Sequence, residues 1–202
     1  MIFEYIRQLT CNFNEIEKFV PEKGTILDVG CGHGIFSKLL VDTSEKRIVL
    51  GIDPSAAKIS KALSNYRKTK KLTFKKAYIY EITNNKFDVI TIIDVMYLLP
   101  EKEKLLMLVN TKRLLKKSGS LILVINGKKP ILIHKVLQIQ EYIMTTLLKF
   151  TYTDFRKVYF EDRNKYIKLL DNAGFEVIQE EYIKSFLPYP HVLFKASPKS
   201  IR

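Results

Sequence analysis

Between residues 25 and 126, five short apolar runs alternate with helix-periodic stretches, and this order constrains the chain more than any other feature. The runs are Thr25–Val29, Arg47–Ile52, Leu72–Ala77, Phe87–Ile93 and Ser120–Ile125. Strand-helix alternation of this kind predicts a parallel, doubly wound α/β sheet with right-handed crossovers. Helices are expected over Ile35–Val41, from Asp53-Pro-Ser55 to roughly Lys70, and from Pro100 to Lys117, where Ser118-Gly119 ends the last of them. Apolar positions 2, 3, 6, 9, 13, 16 and 19–20 predict an amphipathic helix within residues 1–22, closed by Pro21 and Gly24. A further helix is expected over Glu161–Asn172, closed by Gly174. Phe175–Ile178 and Val192–Ala196 have no helix between them, so they should form an antiparallel hairpin turning near Pro188–Pro190. The 202 residues fit a single domain, with no repeat and no linker.

The first run leads directly into Asp28-Val-Gly-Cys-Gly-His-Gly34. Gly30 lets the chain turn sharply out of the strand, while Gly32 and Gly34 let a ligand approach the backbone. Helix N–H groups follow at once. The spacing Gly-x-Gly-x-Gly differs from the Gly-x-Gly-x-x-Gly of pyrophosphate readers. An acid at 28 would repel a pyrophosphate but suits a ligand bearing an ammonium group. Asp53, at the end of the second run, is placed to accept hydrogen bonds from two ribose hydroxyls; the competing reading is a helix N-cap.

These residues resemble the class I S-adenosylmethionine-dependent methyltransferases. The likeness lies in Ile26–Gly34, Leu50–Ser55 and Phe87–Pro100. It covers residues 24 to about 126 well and the last 40 loosely. It implies a Rossmann-like sheet of seven strands, mostly parallel with the C-terminal strand antiparallel. It also implies S-adenosylmethionine as methyl donor and S-adenosylhomocysteine as product. Gly30, Cys31, Gly32 and Gly34 would line the methionine part of the cofactor, Asp28 would face its amino group and Asp53 would hold the ribose. Where relatives carry an acid or amide for adenine, this chain has Ala77-Tyr78, and Tyr78 is either an adenine contact or a plain edge tyrosine. Many small-molecule relatives place a histidine near position 97. Here Asp94 and Tyr97 stand as the catalytic candidates, with Asp94 also a candidate for the methionine carboxylate region or for a helix cap. The segment carries neither the Asn-Pro-Pro-Tyr of amino-directed nucleic-acid enzymes nor a Pro-Cys nucleophile. Methyl transfer from a sulfonium needs a base only if the acceptor must lose its proton early.

Residues 126–160 are long for a strand-helix connection. They hold a helix-like run, Ile131–Leu148, and the aromatics Phe150, Tyr152, Phe155, Tyr159 and Phe160. They read either as a lid over an apolar or lipid-like acceptor or as a helix packed on the core.

The net charge of +13 is the unusual bulk property. Lys58–Lys76 carries eight basic residues and no acid, and Lys112–Lys117 four more. These runs read as solvated faces, or as docking sites for an anionic membrane or, less favoured, RNA. Two cysteines and three histidines give neither a disulfide framework nor metal-ligand spacing, so no metal is expected and a reducing cytoplasm is the expected compartment.

Overall fold

The computed structural model describes residues 10–66, 69–83, 86–126, 158–185 and 191–199. In chain order these form α1 (Phe13–Glu17), β1 (Gly24–Val29), α2 (Ile35–Thr43), β2 (Arg47–Asp53), α3 (Ala56–Asn65) and β3 (Leu72–Lys76). There follow β4 (Phe87–Ile93), α4 (Glu101–Leu114), β5 (Leu115–Asn126), α5 (Arg163–Asn172), β6 (Phe175–Ile183) and β7 (His191–Pro198). Single 3-10 turns lie at Ile79–Glu81 and Met96–Leu98.

The seven strands lie in the order β3-β2-β1-β4-β5-β7-β6. All pairs are parallel except β5–β7 and β6–β7. Strand β7 therefore runs against both of its neighbours, and its first residue, His191, falls beside the carboxyl ends of the parallel strands. The expected sheet and hairpin are both present; the hairpin's turn lies outside the described residues, as does most of the insertion.

Successive strand side chains point to opposite faces, so a central strand covered on both sides must be apolar throughout. Ile90 and Ile92 pack with Leu108, Tyr166, Leu169 and Phe194 on one face. Val89, Ile93, Ile122 and Val124 pack with Phe13, Ile16, Phe36 and Leu40 on the other. This second face is the one that carries the candidate site.

Three helix boundaries differ from expectation by more than two residues or by a break, each for a local reason. The N-terminal helix is not continuous to residue 19. The Asn12 side chain accepts the Glu15 N–H at 3.3 Å and starts a fresh helix at Phe13. Its amide also donates to the Lys184 carbonyl at 3.0 Å, tying the segment to the end of β6. Helix α3 stops at Asn65 rather than near Lys70, because the Thr69 hydroxyl accepts the N–H groups of Lys71 and Leu72 and turns the chain into β3. Helix α4 stops at Leu114, three residues early, because Leu115 is buried opposite Phe87 as the first residue of β5.

A candidate cofactor crevice at the carboxyl edge of the sheet

Strand β1 ends at Val29, and the chain leaves it through Gly30, whose N–H donates to the Ile52 carbonyl at 2.8 Å. Gly30, Gly32 and Gly34 all have positive φ, at 72°, 56° and 81°. The space around them separates their roles. A Cβ on Gly30 would lie 2.3 Å from a Val95 methyl, and one on Gly34 would lie 2.5 Å from the Phe74 ring. A Cβ on Gly32 would have nothing within 4 Å among the described residues. Gly30 and Gly34 are thus glycines for the sake of protein packing, and Gly34 also starts α2. Gly32 alone faces open space. At Gly34 the space a Cβ would take is already filled by Phe74.

Asp53 holds this turn from beside it. One carboxylate oxygen accepts the Gly32 N–H at 3.1 Å and the other accepts the Ser55 N–H at 2.9 Å. The N-cap of α3 is Ser55, whose hydroxyl accepts the Lys58 N–H, so the cap reading of Asp53 falls away. Each Asp53 oxygen keeps a further lone pair for an incoming hydroxyl.

Asp28 lies beneath the turn, buried, and is hydrogen-bonded on both oxygens. The Ser37 hydroxyl of α2 donates to one at 2.5 Å, and the Thr91 hydroxyl of β4 to the other at 2.8 Å. Burial pushes its pKa up to about 6, against the lowering effect of the two hydroxyls. An acid that is harder to ionise in the folded state stabilises the fold below its unfolded pKa, and that stability is lost as pH rises through the folded value. Asp28→Asn, which keeps the shape and one acceptor oxygen, is expected to change this. The variant should gain on the parent between about pH 4 and pH 6.5 by a total of about 3 kcal/mol, read as the difference between their denaturation curves. A flat difference would mean that Asp28 is not strained by its burial.

Cys31 sits inside the turn, its N–H on the Ile52 carbonyl at 3.0 Å. Burial, reinforced by Asp28 and Asp53, holds its thiol well above the ordinary range, so it stays protonated and unreactive. Beyond β3, the Ala77 N–H donates to the Asp53 carbonyl at 3.2 Å. The Tyr78 ring stacks on Tyr80 with centroids 5.2 Å apart. Tyr97 is buried and stacked on Phe160, 5.0 Å between centroids, and its carbonyl accepts the Tyr159 N–H at 2.6 Å. The fully buried Lys104 donates to the Tyr159 carbonyl at 2.6 Å and lies 3.7 Å from Glu161. Tyr97 and Lys104 therefore anchor the segment that leads from residues 126–160 into α5.

Asp94 follows β4 and is the one non-glycine with positive φ among the described residues, at 53°. Its carboxylate is 2.9 Å from His191 Nε2, and both side chains are almost fully buried. Cys11 joins them: one ligand-type atom from each of the three residues lies within 4.8 Å of the others. Sequence reasoning missed His191. The usable signal was the reversal of the last strand, which brings its first residue back to the carboxyl edge. It also missed Ser37 and Thr91, although a lone threonine inside Ile90-Thr-Ile-Ile93 marks a buried polar partner.

An open glycine cradle at the end of β1, an acid at the end of β2 and a seven-stranded sheet with β7 reversed define the S-adenosylmethionine-dependent methyltransferase fold. Residues 21–174 match the family model described as a methyltransferase domain, so this chain belongs to that family. Its fold is similar to that of magnesium protoporphyrin IX methyltransferase from Synechocystis PCC 6803 with bound S-adenosylhomocysteine: TM-score 0.71, 19% identity, covering 93% of this chain and 82% of that one. It is also similar to an S-adenosylmethionine-dependent methyltransferase from Methanosarcina mazei: TM-score 0.70, 20% identity, covering 92% and 98%. An O-methyltransferase from neocarzinostatin biosynthesis, solved with S-adenosylhomocysteine and 1,4-dihydroxy-2-naphthoic acid, gives a TM-score of 0.75 at 13% identity, covering 98% of this chain and 56% of that one.

Proposed function

We propose that this chain binds S-adenosylmethionine across the ends of β1, β2 and β3 and transfers its methyl group to a small or lipid-like acceptor. The observation that carries this reading is the contrast within the glycine turn: of its three glycines only Gly32 opens onto space that no described residue fills, and the Asp53 carboxylate grips its N–H. When bound, S-adenosylmethionine supplies an electrophilic methyl on a sulfonium that departs as a neutral thioether. The turn Gly30–Gly34 would cradle the methionine part and Asp53 would accept from the ribose hydroxyls. The charge of Asp28, just below, favours the ligand's ammonium. Ala77 and Tyr78 would border the adenine, and Asp94 the methyl end.

A small acceptor is favoured over RNA because two lysines of the basic runs already have acidic partners. Lys116 meets Asp88 at 2.8 Å and Lys71 meets Glu45 at 3.8 Å. A cytoplasmic location is part of the same proposal. No helix among the described residues is long and apolar enough to cross a membrane.

Titration calorimetry with S-adenosylmethionine and S-adenosylhomocysteine tests the reading. Both should bind, and Asp53→Ala should weaken both by about tenfold or more, the worth of a hydrogen bond to a charged group. No heat at millimolar ligand would sink the proposal. RNA retention that persists at physiological salt would favour the nucleic-acid alternative instead.

A further inference from the structure

Cys11, Asp94 and His191 come from three separate parts of the chain and meet at the carboxyl edge of the sheet. Cys11 lies just before α1, Asp94 just after β4, and His191 opens β7. A thiol sulfur, a carboxylate oxygen and an imidazole nitrogen lie within 4.8 Å of one another. Asp94 Oδ2 and His191 Nε2 approach to 2.9 Å. A tetrahedral zinc ion with bonds of about 2.0–2.3 Å holds such atoms about 3.3–3.8 Å apart, so small side-chain rotations complete the set. All three residues are buried, and burial makes charge balance decisive. A thiolate, a carboxylate and a neutral imidazole carry two negative charges, which a divalent cation cancels. Two further observations point the same way. Asn126, directly opposite His191 on β5, is 9% exposed, and its Oδ1 is a buried acceptor with no hydrogen-bond partner among the described residues. Directly paired residues of antiparallel strands present their side chains on one face, and a metal-bound water is a donor that such an acceptor can take. Asp94 also keeps a positive φ, a costly conformation for a non-glycine residue and one that clusters at ligand sites.

We propose that Cys11, Asp94 and His191 bind one divalent transition-metal ion, zinc by the chemistry of the ligands, with a water in the fourth position. A thiolate beside an imidazole and a carboxylate selects a borderline ion over magnesium or calcium, which take oxygen ligands. On binding, the Cys11 thiol gives its proton to water, and the Asp94–His191 hydrogen bond is exchanged for two bonds to the ion. The ion pins the segment before α1 to the turn after β4 and to the start of β7. Asn12 already ties the same segment to the Lys184 carbonyl at 3.0 Å, so the clip adds to an existing attachment. No spacing in the sequence announces such a site, because each ligand comes from a different part of the chain. The inference is independent of the function proposed above, since metal content is read without turnover.

The test uses the untagged full chain, stripped with a chelator, dialysed against zinc and read for metal content by mass spectrometry. One zinc per chain should remain bound. Cobalt(II) in its place should give the intense visible bands of a four-coordinate ion and a near-ultraviolet thiolate-to-metal band. Cys11→Ser should lose that band and weaken zinc by about 100-fold or more, and His191→Ala should weaken it as much, both beyond the usual cost of losing an outer partner. Cys31→Ser should keep the band. Zinc at about 100-fold above its Kd should raise the Tm of the parent by about 5–10 °C and leave that of Cys11→Ser where it was. A parent that takes up no stoichiometric zinc at micromolar free metal overturns the inference without any variant having to fold. So does a thiolate-to-metal band that survives in Cys11→Ser or disappears only in Cys31→Ser.

Discussion

Gly30→Ala is expected to lower stability by about 3 kcal/mol, whereas Gly32→Ala, two residues on, is expected to cost about 1 kcal/mol. Both positions have positive φ, so both variants share the strain of a left-handed alanine. Only at Gly30 does the new methyl also strike the protein, 2.3 Å from Val95. Val95 sits in the turn after β4, next to Asp94, and its β-branched side chain has few other rotamers to retreat into. In a chain of this size about 3 kcal/mol is worth about 6–12 °C in Tm. The order reverses for the ligand. The methyl at Gly32 projects into the space assigned to the cofactor, so Gly32→Ala should lose most affinity for S-adenosylhomocysteine while remaining folded. Paired thermal denaturation and calorimetry read both quantities. If Gly32→Ala binds as the parent does, the cradle is not where the ligand lies.

The same contrast shows what the residues alone could tell. Strand positions were legible because β1, β4 and the second half of β5 are covered on both faces, and burial on both faces forces near-continuous apolar runs such as Val89–Ile93. The turn was legible because three positive φ values in five residues admit little but glycine. Which glycine faces solvent was not, because it depends on Val95 and Phe74, brought in by β4 and β3. The environment of Asp28 was hidden for the same reason. Its position in the chain says that an acid ends the first strand, but only the β1–β4 register sets Asp28 against Thr91. His191 was the costliest omission. It is 97 residues from Asp94, and only the reversal of β7 joins them. Helix ends were misplaced where a single side chain, that of Asn12 or Thr69, captured backbone N–H groups and cut a periodic pattern short.

Arg47→Met is expected to destabilise the chain by about 3–5 kcal/mol without touching the crevice. In the sequence Arg47 is an unremarked charge at the start of a strand. In the structure its side chain is 2% exposed and all three guanidinium nitrogens are hydrogen-bonded. Nε donates to the Pro21 carbonyl at 2.8 Å and Nη2 to the Val20 carbonyl at 2.7 Å. Nη1 meets Glu17 at 2.5 Å, the Thr43 hydroxyl at 2.7 Å and the Leu40 carbonyl at 3.1 Å. One planar fork thus gathers α1, the loop into β1 and the last turn of α2. Methionine fills part of the volume but strands two loop carbonyls and the Glu17 carboxylate. Lysine should not rescue, since a single ammonium cannot span donors pointing in three directions. Replacing a whole buried ion pair with apolar groups can be neutral, so the informative experiment is a double-mutant cycle with Glu17→Gln. A coupling of about 1 kcal/mol or more in urea denaturation would show that the pair acts as a unit; a loss below about 1 kcal/mol for Arg47→Met alone would show that the network adds no net stability. Arg47 pairs with Gly24 at the amino end of the parallel strands, the edge opposite Gly32, Asp53 and His191. Its loss should therefore leave the affinity of the folded fraction for S-adenosylhomocysteine unchanged. The two edges of one sheet would then separate in a single pair of measurements, the amino edge setting stability and the carboxyl edge setting binding.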